Sequence, residues 1–181
     1  EGMNSVLLMD DKVLEIRKNS FELLEICSSE LNFNIQKANA HYNIAESFIF
    51  ENFVQSKYHF EKALHVLSES PYNQEIARKR KAIERTLNFL KIYHAKDLDN
   101  LKGDLDYPEQ AFLAIRQGDN ELALKILEDI EKEKGYLNEF STFYLGLAKN
   151  DVRLIEKSLE MFIKNNNNFY AKLPKIYLGI D

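Results

Sequence analysis

Apolar residues recur at intervals of three and four along almost the whole chain, and the strict alternation typical of a β-strand is almost absent. This spacing places apolar side chains along one face of a helix. It predicts helices at about 10–28, 35–50, 54–68, 71–94, 107–117, 120–134, 139–149 and 152–165, with a short last segment at about 169–180. The pattern therefore indicates an all-α chain.

Proline and charge mark the expected interruptions. Pro71 fits the first turn of the fourth helix, where its missing N–H costs nothing. Pro174 lies inside the last segment and predicts a kink or a break there. Residues 96–103 are too charged to bury and predict a polar connector.

Helix pairs recur every 30 to 40 residues, as in a solenoid of repeats. A tetratricopeptide-type pair has a small residue where its two helices touch, and Ala45, Ala123 and Gly146 fit that position. Gly118 suits a left-handed helix end, and Asp119 or Asn120 suits the cap of the next helix. We expect a right-handed superhelix of tetratricopeptide-like helical hairpins.

Three segments are expected along the chain. Residues 1–9 are expected to be a tag or a disordered N-terminus, since Glu1 and Gly2 precede Met3. Residues 10–165 form the repeat domain, and 166–181 form a C-terminal capping and dimerisation segment.

Composition narrows the possible functions. Hydrophobic residues make up 45% of the chain and charged residues 29%, which excludes a disordered protein. The single cysteine, Cys27, excludes an internal disulfide and a multi-cysteine zinc site. A net charge of −5 does not favour a nucleic-acid surface. The basic stripe Arg78–Lys81 with Arg85 is therefore either a nucleic-acid contact or, more simply, a solvated helix face.

No chemistry-bearing motif supports an enzyme. The sequence has no glycine-rich phosphate loop and no nucleophile elbow. Its histidines do not have a metal-ligand spacing; they are His41, His59, His65 and His94. No apolar run approaches the roughly 18 residues of a membrane span. We therefore expect no enzyme activity, cofactor, metal or membrane partner, and a cytoplasmic location.

Short blocks of sequence carry a family resemblance. They are Ser47–Phe53, Arg85–Leu90, Asn120–Leu127, Ile130–Lys134, Phe143–Leu147, Lys149–Asp151, Ser158–Phe162 and Lys172–Pro174. Their order and spacing resemble the C-terminal half of the arbitrium peptide receptors of temperate phages, which are tetratricopeptide peptide-sensing regulators of Gram-positive bacteria. The resemblance covers roughly four fifths of the chain.

The resemblance implies a function. Such receptors carry a DNA-binding helix-turn-helix, bind a short peptide in the concave face of their repeats and dimerise partly through the C-terminus. This chain has no helix-turn-helix ahead of its repeats. We therefore expect a peptide-sensing domain of a lysis–lysogeny regulator that works in the bacterial host cell, without direct DNA contact.

Asparagines are the candidate peptide-binding residues. Asn39 and Asn43 are four residues apart and share a helix face. Because an amide both donates and accepts, the pair can hold an extended peptide backbone, although a solvated face or an interhelical hydrogen bond is the alternative. Asn150 is either a ligand-facing residue, as the resemblance implies, or a helix C-cap.

Four consecutive amides, Asn165–Asn168, form the most unusual stretch. The simplest interpretation is a turn in which Asn168 caps the last segment. The alternative places Asn167 in the ligand groove. The resemblance implies an acidic residue at that position, paired with a basic peptide residue. Asn167 lacks the charge, so the peptide preference should differ or binding should be lost.

Aromatic residues at helical spacing belong either to the core or to hydrophobic subsites for the peptide. They are Tyr42, Phe48, Phe112, Phe143, Tyr144, Phe169 and Tyr170.

The last dozen residues are more apolar than a solenoid cap should be. The residues concerned are Leu173, Ile176, Tyr177, Leu178 and Ile180. They predict a homodimer interface, in agreement with the resemblance, unless the segment folds back on Leu159 and Phe162 of its own chain.

Two other functions compete with peptide sensing. The chain could be a tetratricopeptide-like scaffold that holds another protein, or a short relative that pairs with a full-length receptor through the shared C-terminal segment.

Overall fold

The structure is a computed structural model and describes residues 2–27, 33–71 and 73–180, with side chains from residue 11 onward. Over these residues it contains nine α-helices, one short 3-10 turn and no strand. The helices are α1 (Gly2–Cys27), α2 (Asn34–Ser47), α3 (Phe53–Ser68), α4 (Gln74–His94), α5 (Tyr107–Arg116), α6 (Asn120–Lys134), α7 (Glu139–Lys149), α8 (Val152–Lys164) and α9 (Lys172–Leu178). The predicted all-α fold of helical hairpins is confirmed.

The chain divides into two compact units, which we call the first unit (Leu7–Gly103) and the second unit (Asp104–Asp181 with Glu1–Val6). In the first unit α2 packs on α3, α3 packs on α4, and α2 also meets α4. In the second unit the hairpins are α5 with α6 and α7 with α8, α7 also meets α5 and α6, and α9 packs on α8. The first helices of the two hairpins therefore lie side by side in the second unit, and α2 lies beside α4 in the first.

Polar side chains set most of the helix starts. In each case a side-chain oxygen accepts a hydrogen bond from a backbone N–H two or three residues further on, which satisfies a donor that the helix itself leaves unpaired. The capping residues of α3, α4, α6, α7 and α8 are Asn52, Asn73, Asp119, Asn138 and Asp151. At α5 Asp106 and Glu109 cap each other's backbone in a capping box.

Some boundaries differ from those expected. The first helix begins at Gly2 rather than near Asp10, so the expected disordered segment is helical where it is described. Residue 1 and the expected end of this helix at Ser28 lie outside the described residues. Pro71 precedes α4 instead of starting it, because Asn73 caps the helix by accepting from the backbone N–H of Ile76.

The two expectations for the C-terminal segment are also corrected. Pro174 causes no kink, because it is the third residue of α9 and lies in the first turn, where no backbone hydrogen bond is lost. Asn168 does not cap α9, since the residue before that helix is Ala171, which makes no side-chain cap.

Small residues lie where the helices of a hairpin touch, as predicted. Ala45 is completely buried, and the hydroxyl of Ser56 on α3 donates to its carbonyl oxygen at 2.7 Å. Ala123 is also completely buried in a cluster of alanines. At Gly146 a Cβ atom would lie 2.6 Å from Ile155 Cγ1 and 3.1 Å from the backbone nitrogen of Ile155.

One arginine fixes α1 to the end of α2. The Arg17 guanidinium lies 3.6 Å from the centroid of the Phe48 ring. Its Nε donates to Ser47 Oγ at 2.9 Å, and Nη2 donates to the Ser47 carbonyl oxygen at 2.8 Å and to Glu51 Oε2 at 2.9 Å. A cation at the C-terminal end of a helix also interacts favourably with the helix dipole.

The connector after α4 is held by a buried lysine. Lys91 is 1% exposed, and its Nζ donates to the Asn100 carbonyl oxygen at 2.5 Å and lies 3.2 Å from Asp97 Oδ2. Lys57 Nζ lies 2.8 Å from Asp97 Oδ2 as well. The hydrogen bond from Lys57, followed by those from Asn100 and Lys91, holds the pKa of Asp97 well below its usual range.

An amide completes the attachment of this connector. Asn88 is buried on α4, its Nδ2 donates to the Lys102 carbonyl oxygen at 2.7 Å, and its Oδ1 accepts from the Lys102 N–H at 2.8 Å. The residues from Asp97 to Lys102 are therefore bound to α3 and α4 rather than free. Among the described residues, no helix is both long enough and apolar enough to cross a bilayer.

Replacing Gly146 by leucine should destabilise the protein by about 1–3 kcal/mol, because α8 cannot retreat from the added side chain without moving its backbone at Ile155. The midpoint of chemical unfolding measures the effect. Lys125→Leu adds the same side chain at an exposed position on α6 and should leave the midpoint nearly unchanged. Equal midpoints for the wild type and Gly146→Leu would contradict the close contact.

Candidate functional site

Asn39 and Asn43 are both exposed on α2, one turn apart. The side of α2 that carries them borders α4. Lys79 on α4 donates from Nζ to Asn39 Oδ1 at 3.0 Å. Asn39 therefore makes the interhelical hydrogen bond that was its alternative role, whereas the Asn43 side chain has no hydrogen-bond partner among the described residues. Asn43 is therefore the amide whose donor and acceptor both remain available.

Tyr42 fixes the same helix pair. Its hydroxyl donates to Glu46 Oε1 at 3.2 Å and lies 3.4 Å from Thr86 Oγ1 on α4. Its ring meets the edge of Phe60, with 5.7 Å between centroids. Burial, followed by the charge of Glu46, raises the pKa of Tyr42 to about 12. Tyr42 therefore supports α2 from within the unit instead of lining an open subsite.

The opposite side of α2 carries a histidine pair that the sequence did not indicate. His41 Nδ1 and His59 Nδ1 on α3 are 2.9 Å apart, so one ring donates its N–H to the other. Phe21 on α1 meets the edge of the His59 ring at 5.6 Å between centroids. Burial, followed by the charges of His59 and Lys62, lowers the pKa of His41 to about 4, and burial lowers the pKa of His59.

The basic residues of α4 do not form one surface. Four consecutive residues point in directions about 100° apart around a helix, so Arg78–Lys81 are spread over several sides. Lys79 contacts α2, while Arg80 lies 3.8 Å from Glu84 on its own helix. In the described part of the chain, no three His, Cys, Asp or Glu side chains are arranged to hold a metal ion.

In the second unit, Asn150 ends α7. Its backbone is left-handed (φ 51°), which is the C-cap role given above as the alternative to ligand binding. Its side chain is exposed and directed to α9, where the hydroxyl of Tyr177 donates to Asn150 Oδ1 at 3.4 Å. The Tyr177 ring also meets the edge of Phe143 at 6.5 Å between centroids. Asn150 thus has the capping role, and its exposed side chain contacts α9.

Asn167 lies beside a carboxylate that the sequence did not reveal. The Nδ2 atoms of Asn165 and Asn167 donate to Glu139 Oε2 at 3.1 Å and to Glu139 Oε1 at 3.4 Å. Glu139 is the first residue of α7 and is half-buried. The negative charge that is missing at position 167 is therefore present next to it, held by two amides.

These groups lie along one side of α7. Glu139, Phe143 and Asn150 follow one another at intervals of four and seven residues, which places them on the same side of the helix. At about 1.5 Å per residue, Glu139 and Asn150 are about 16 Å apart. An extended peptide of about five residues has this length. This side of α7 is not an open surface, because Phe143 and Gly146 between its two ends are buried and Gly146 faces Ile155 of α8.

Most of the candidate aromatic residues belong to the core. Phe112 and Tyr144 are buried and stacked, with centroids 4.5 Å apart. Phe143 is buried, and Phe48 lies beneath Arg17. Among the remaining candidates, Phe169 and Tyr170 are half-buried against each other at 5.1 Å between centroids.

The C-terminal segment separates into a buried and an exposed part. Leu173 is 2% exposed and packs within its own chain, so it does not belong to an outward-facing interface. Ile176, Tyr177 and Ile180 are 53%, 47% and 48% exposed. Leu178 is half-buried. The segment thus folds back on α8 through one side and presents its other side to solvent.

Comparison with known proteins decides the family. Residues 1–179 match the family described as AimR transcriptional regulator-like. The chain belongs to this family. It is 32% identical over 176 residues to the uncharacterized protein pXO2-35 of Bacillus anthracis. This alignment covers 97% of this chain and 64% of that protein. It is also 26% identical over 186 residues to the AimR transcriptional regulator of Bacillus phage phi3T. That alignment covers 96% of this chain and 45% of that protein.

Solved structures of the family share the fold. The structure described as SeMet-phAimR matches with a TM-score of 0.77 at 24% identity, over 93% of this chain and 43% of that chain. The one described as phAimR-Ligand matches with a TM-score of 0.76 at 24% identity, over 94% and 49%. This chain therefore spans 43% to 64% of the length of these AimR-like relatives.

The histidine pair predicts that stability decreases on mild acidification. The pKa of His41 is lower in the folded chain (about 4) than its ordinary value of 6.5, so the unfolded chain binds more protons between these values. The free energy of unfolding should therefore fall as the pH drops from 6.5 towards 4. The slope is at most about 1.4 kcal/mol per pH unit for His41, and smaller because the ring is partly exposed.

Chemical unfolding at a series of pH values from 7 to 5, above the range in which ordinary carboxylates titrate, measures this slope. His41→Gln should flatten it. His65→Gln removes an exposed histidine from α3 and should leave it unchanged. A wild-type stability that is constant over this range would contradict the effect of burial on the pair.

Proposed function

We propose that this chain is the peptide-sensing part of an arbitrium-type regulator of phage lysis and lysogeny, and that it binds a short peptide without covalent chemistry. The observation that carries the proposal is the pair of exposed amides on α2, of which Asn43 has no partner among the described residues. Membership of the AimR-like family supports it, and one relative has been solved in a form described with a ligand.

Each unit contains polar groups that suit such binding. Asn43 both donates and accepts and can therefore hold a peptide bond from the side. In the second unit, the Glu139 carboxylate lies beside Asn167 at the start of α7, and the Asn150 amide lies at its end. Each hydrogen bond to the peptide contributes roughly 0.5–1.5 kcal/mol net. The half-buried Glu139 favours a basic residue in the peptide.

A contact between α7 and α9 gives the ligand a route to the C-terminal segment. Tyr177 donates to the side chain of Asn150, so a peptide that uses this amide competes with Tyr177. A ligand shifts a conformational equilibrium only when it binds one state better than another. In one state the hydrogen bond between Tyr177 and Asn150 is present, and in the other, with the peptide bound to Asn150, it is lost.

The exposed side of α9 supports a homodimer. Ile176, Tyr177 and Ile180 together present an apolar surface on the last helix and the residues after it. A two-fold dimer would cover the same surface on both copies. This chain thus contacts a peptide and its own copy rather than DNA, in the cytoplasm of the bacterial host. The same apolar side would also serve the alternative, a short relative that pairs with a longer receptor.

Native mass spectrometry of the protein purified from a Bacillus host tests the function directly. A bound peptide of about five or six residues, released on denaturation, supports sensing. Thermal shift with pools of synthetic hexapeptides provides the second measurement. A protein that carries no peptide and whose melting temperature no pool raises would be a scaffold or a partner of a longer receptor.

Asn43→Ala should weaken binding of a retained peptide about tenfold, because it removes an amide that both donates and accepts. The melting temperature should remain nearly unchanged, since the side chain is exposed and bonds to no described residue. Calorimetric titration measures the affinity. Asn120→Ala removes an exposed amide from the start of α6 and should change neither quantity. A lowered melting temperature with unchanged affinity would make Asn43 a structural residue.

Charged residues at the exposed positions of the C-terminal segment should produce a monomer. In the double variant Ile176→Glu with Ile180→Glu, a dimer would have to bury two carboxylates from each copy. Light scattering after size-exclusion chromatography measures the mass. Val54→Glu, at an exposed apolar position on α3, is the matched control and should remain dimeric. A wild-type protein that is monomeric at high micromolar concentration would contradict the dimer.

A further inference from the structure

We infer that Lys79 and Asn39 form a subsite for a carboxylate of the ligand, an inference that rests on the peptide-sensing function proposed above. The two side chains come from adjacent helices of the first unit and are joined by a hydrogen bond of 3.0 Å between Lys79 Nζ and Asn39 Oδ1. The hydrogen bond orients the Asn39 amide, and the Lys79 ammonium gives this part of the surface a positive charge.

The hydrogen bond fixes the polarity of the Asn39 amide. An ammonium group has three donors and no acceptor, so its partner on Asn39 is the carbonyl oxygen. The amide therefore directs its NH₂ group away from Lys79. Asn39 offers a ligand hydrogen-bond donors, and its principal acceptor is already used. It accordingly prefers a carbonyl or carboxylate oxygen over a peptide N–H.

The charge of Lys79 is not neutralised within the protein. Among the described residues, no carboxylate oxygen lies within 4 Å of its Nζ. Three cations of the same unit are paired instead, because Lys57 and Lys91 share Asp97 and Arg80 lies near Glu84. Lys79 as a whole is half-buried, but its hydrogen bond to Asn39 is exposed to solvent, and the ammonium group still has two N–H groups to donate.

Positive charge and outward donors in one place are complementary to a carboxylate. Its two oxygens can accept from Lys79 Nζ and from Asn39 Nδ2 at the same time, and hydrogen bonds between charged groups are the stronger class. A peptide carries carboxylates at its C-terminus and on Asp and Glu side chains. Asn43, one turn further along α2, can then hold the adjacent peptide bond. The subsite thus anchors an acidic group of the peptide beside Asn39.

Three pools of mixed-sequence hexapeptides test the inference and identify the source of the carboxylate. The first pool has free C-termini, the second is amidated, and the third is amidated with one Asp fixed at each position in turn. Mass spectrometry measures which peptides the intact chain retains. We expect at least tenfold enrichment of the free-acid pool over the amidated pool if the C-terminus is bound, or of the Asp pool if a side chain is bound.

The best-retained peptide is then titrated into the wild type and the variants Lys79→Gln, Lys79→Arg and Lys81→Gln, each at low and at high salt. Lys79→Gln should weaken its binding about tenfold or more and abolish the preference for the carboxylate, and Lys79→Arg should restore both in part. Lys81→Gln removes an exposed charge from the other side of α4 and should bind like the wild type. The preference of the wild type should decrease with salt.

The outcomes separate this inference from the proposed function. Peptides that bind equally well with and without a carboxylate, and equally well to Lys79→Gln, would overturn the carboxylate subsite and leave peptide sensing intact. Retention of no peptide from any pool would overturn both. Comparison of Lys79→Gln with Lys79→Arg distinguishes a loss of charge from a loss of folding.

Discussion

The close approach of the two helices in each hairpin is the constraint on which the other features depend. The hairpin of α2 and α3 places a serine hydroxyl on the carbonyl oxygen of Ala45, and that of α7 and α8 leaves no room for a side chain at Gly146. Such a contact admits a single rotation of each helix about its axis. The rotation that buries Ala45 also turns Asn39 and Asn43 outward.

The fold could be predicted because its local signals agree. Capping residues start α5 to α8, and the predicted bounds of these helices agree with the structure to within one residue. Glycine and asparagine in left-handed conformations end several helices in the same way. Proline was less informative, since a helix tolerates it both before and within the first turn. Pro71 and Pro174 show that its sequence position alone does not distinguish these cases.

The candidate site was only partly accessible to the sequence. The shared face of Asn39 and Asn43 follows from helical spacing, but Lys79 lies 40 residues away and is matched to Asn39 only by the packing of α4. Glu139 and Asn167 are separated by 28 residues in the same way. Periodicity tells which face of a helix is apolar. It does not tell which polar residue of another helix will stand opposite, and a resemblance at one position did not reveal the carboxylate from another element.

The buried ammonium group of Lys91 affects how the chain folds during synthesis. Domains generally fold as they leave the ribosome, from the N-terminus onward. The partners of Lys91, Asp97 and Asn100, lie downstream of α4. Until they emerge, packing α4 against α3 would bury a charge without compensation, which is strongly unfavourable. The residues after α4 are therefore the last part of the first unit to be translated and the part that commits it to its native packing.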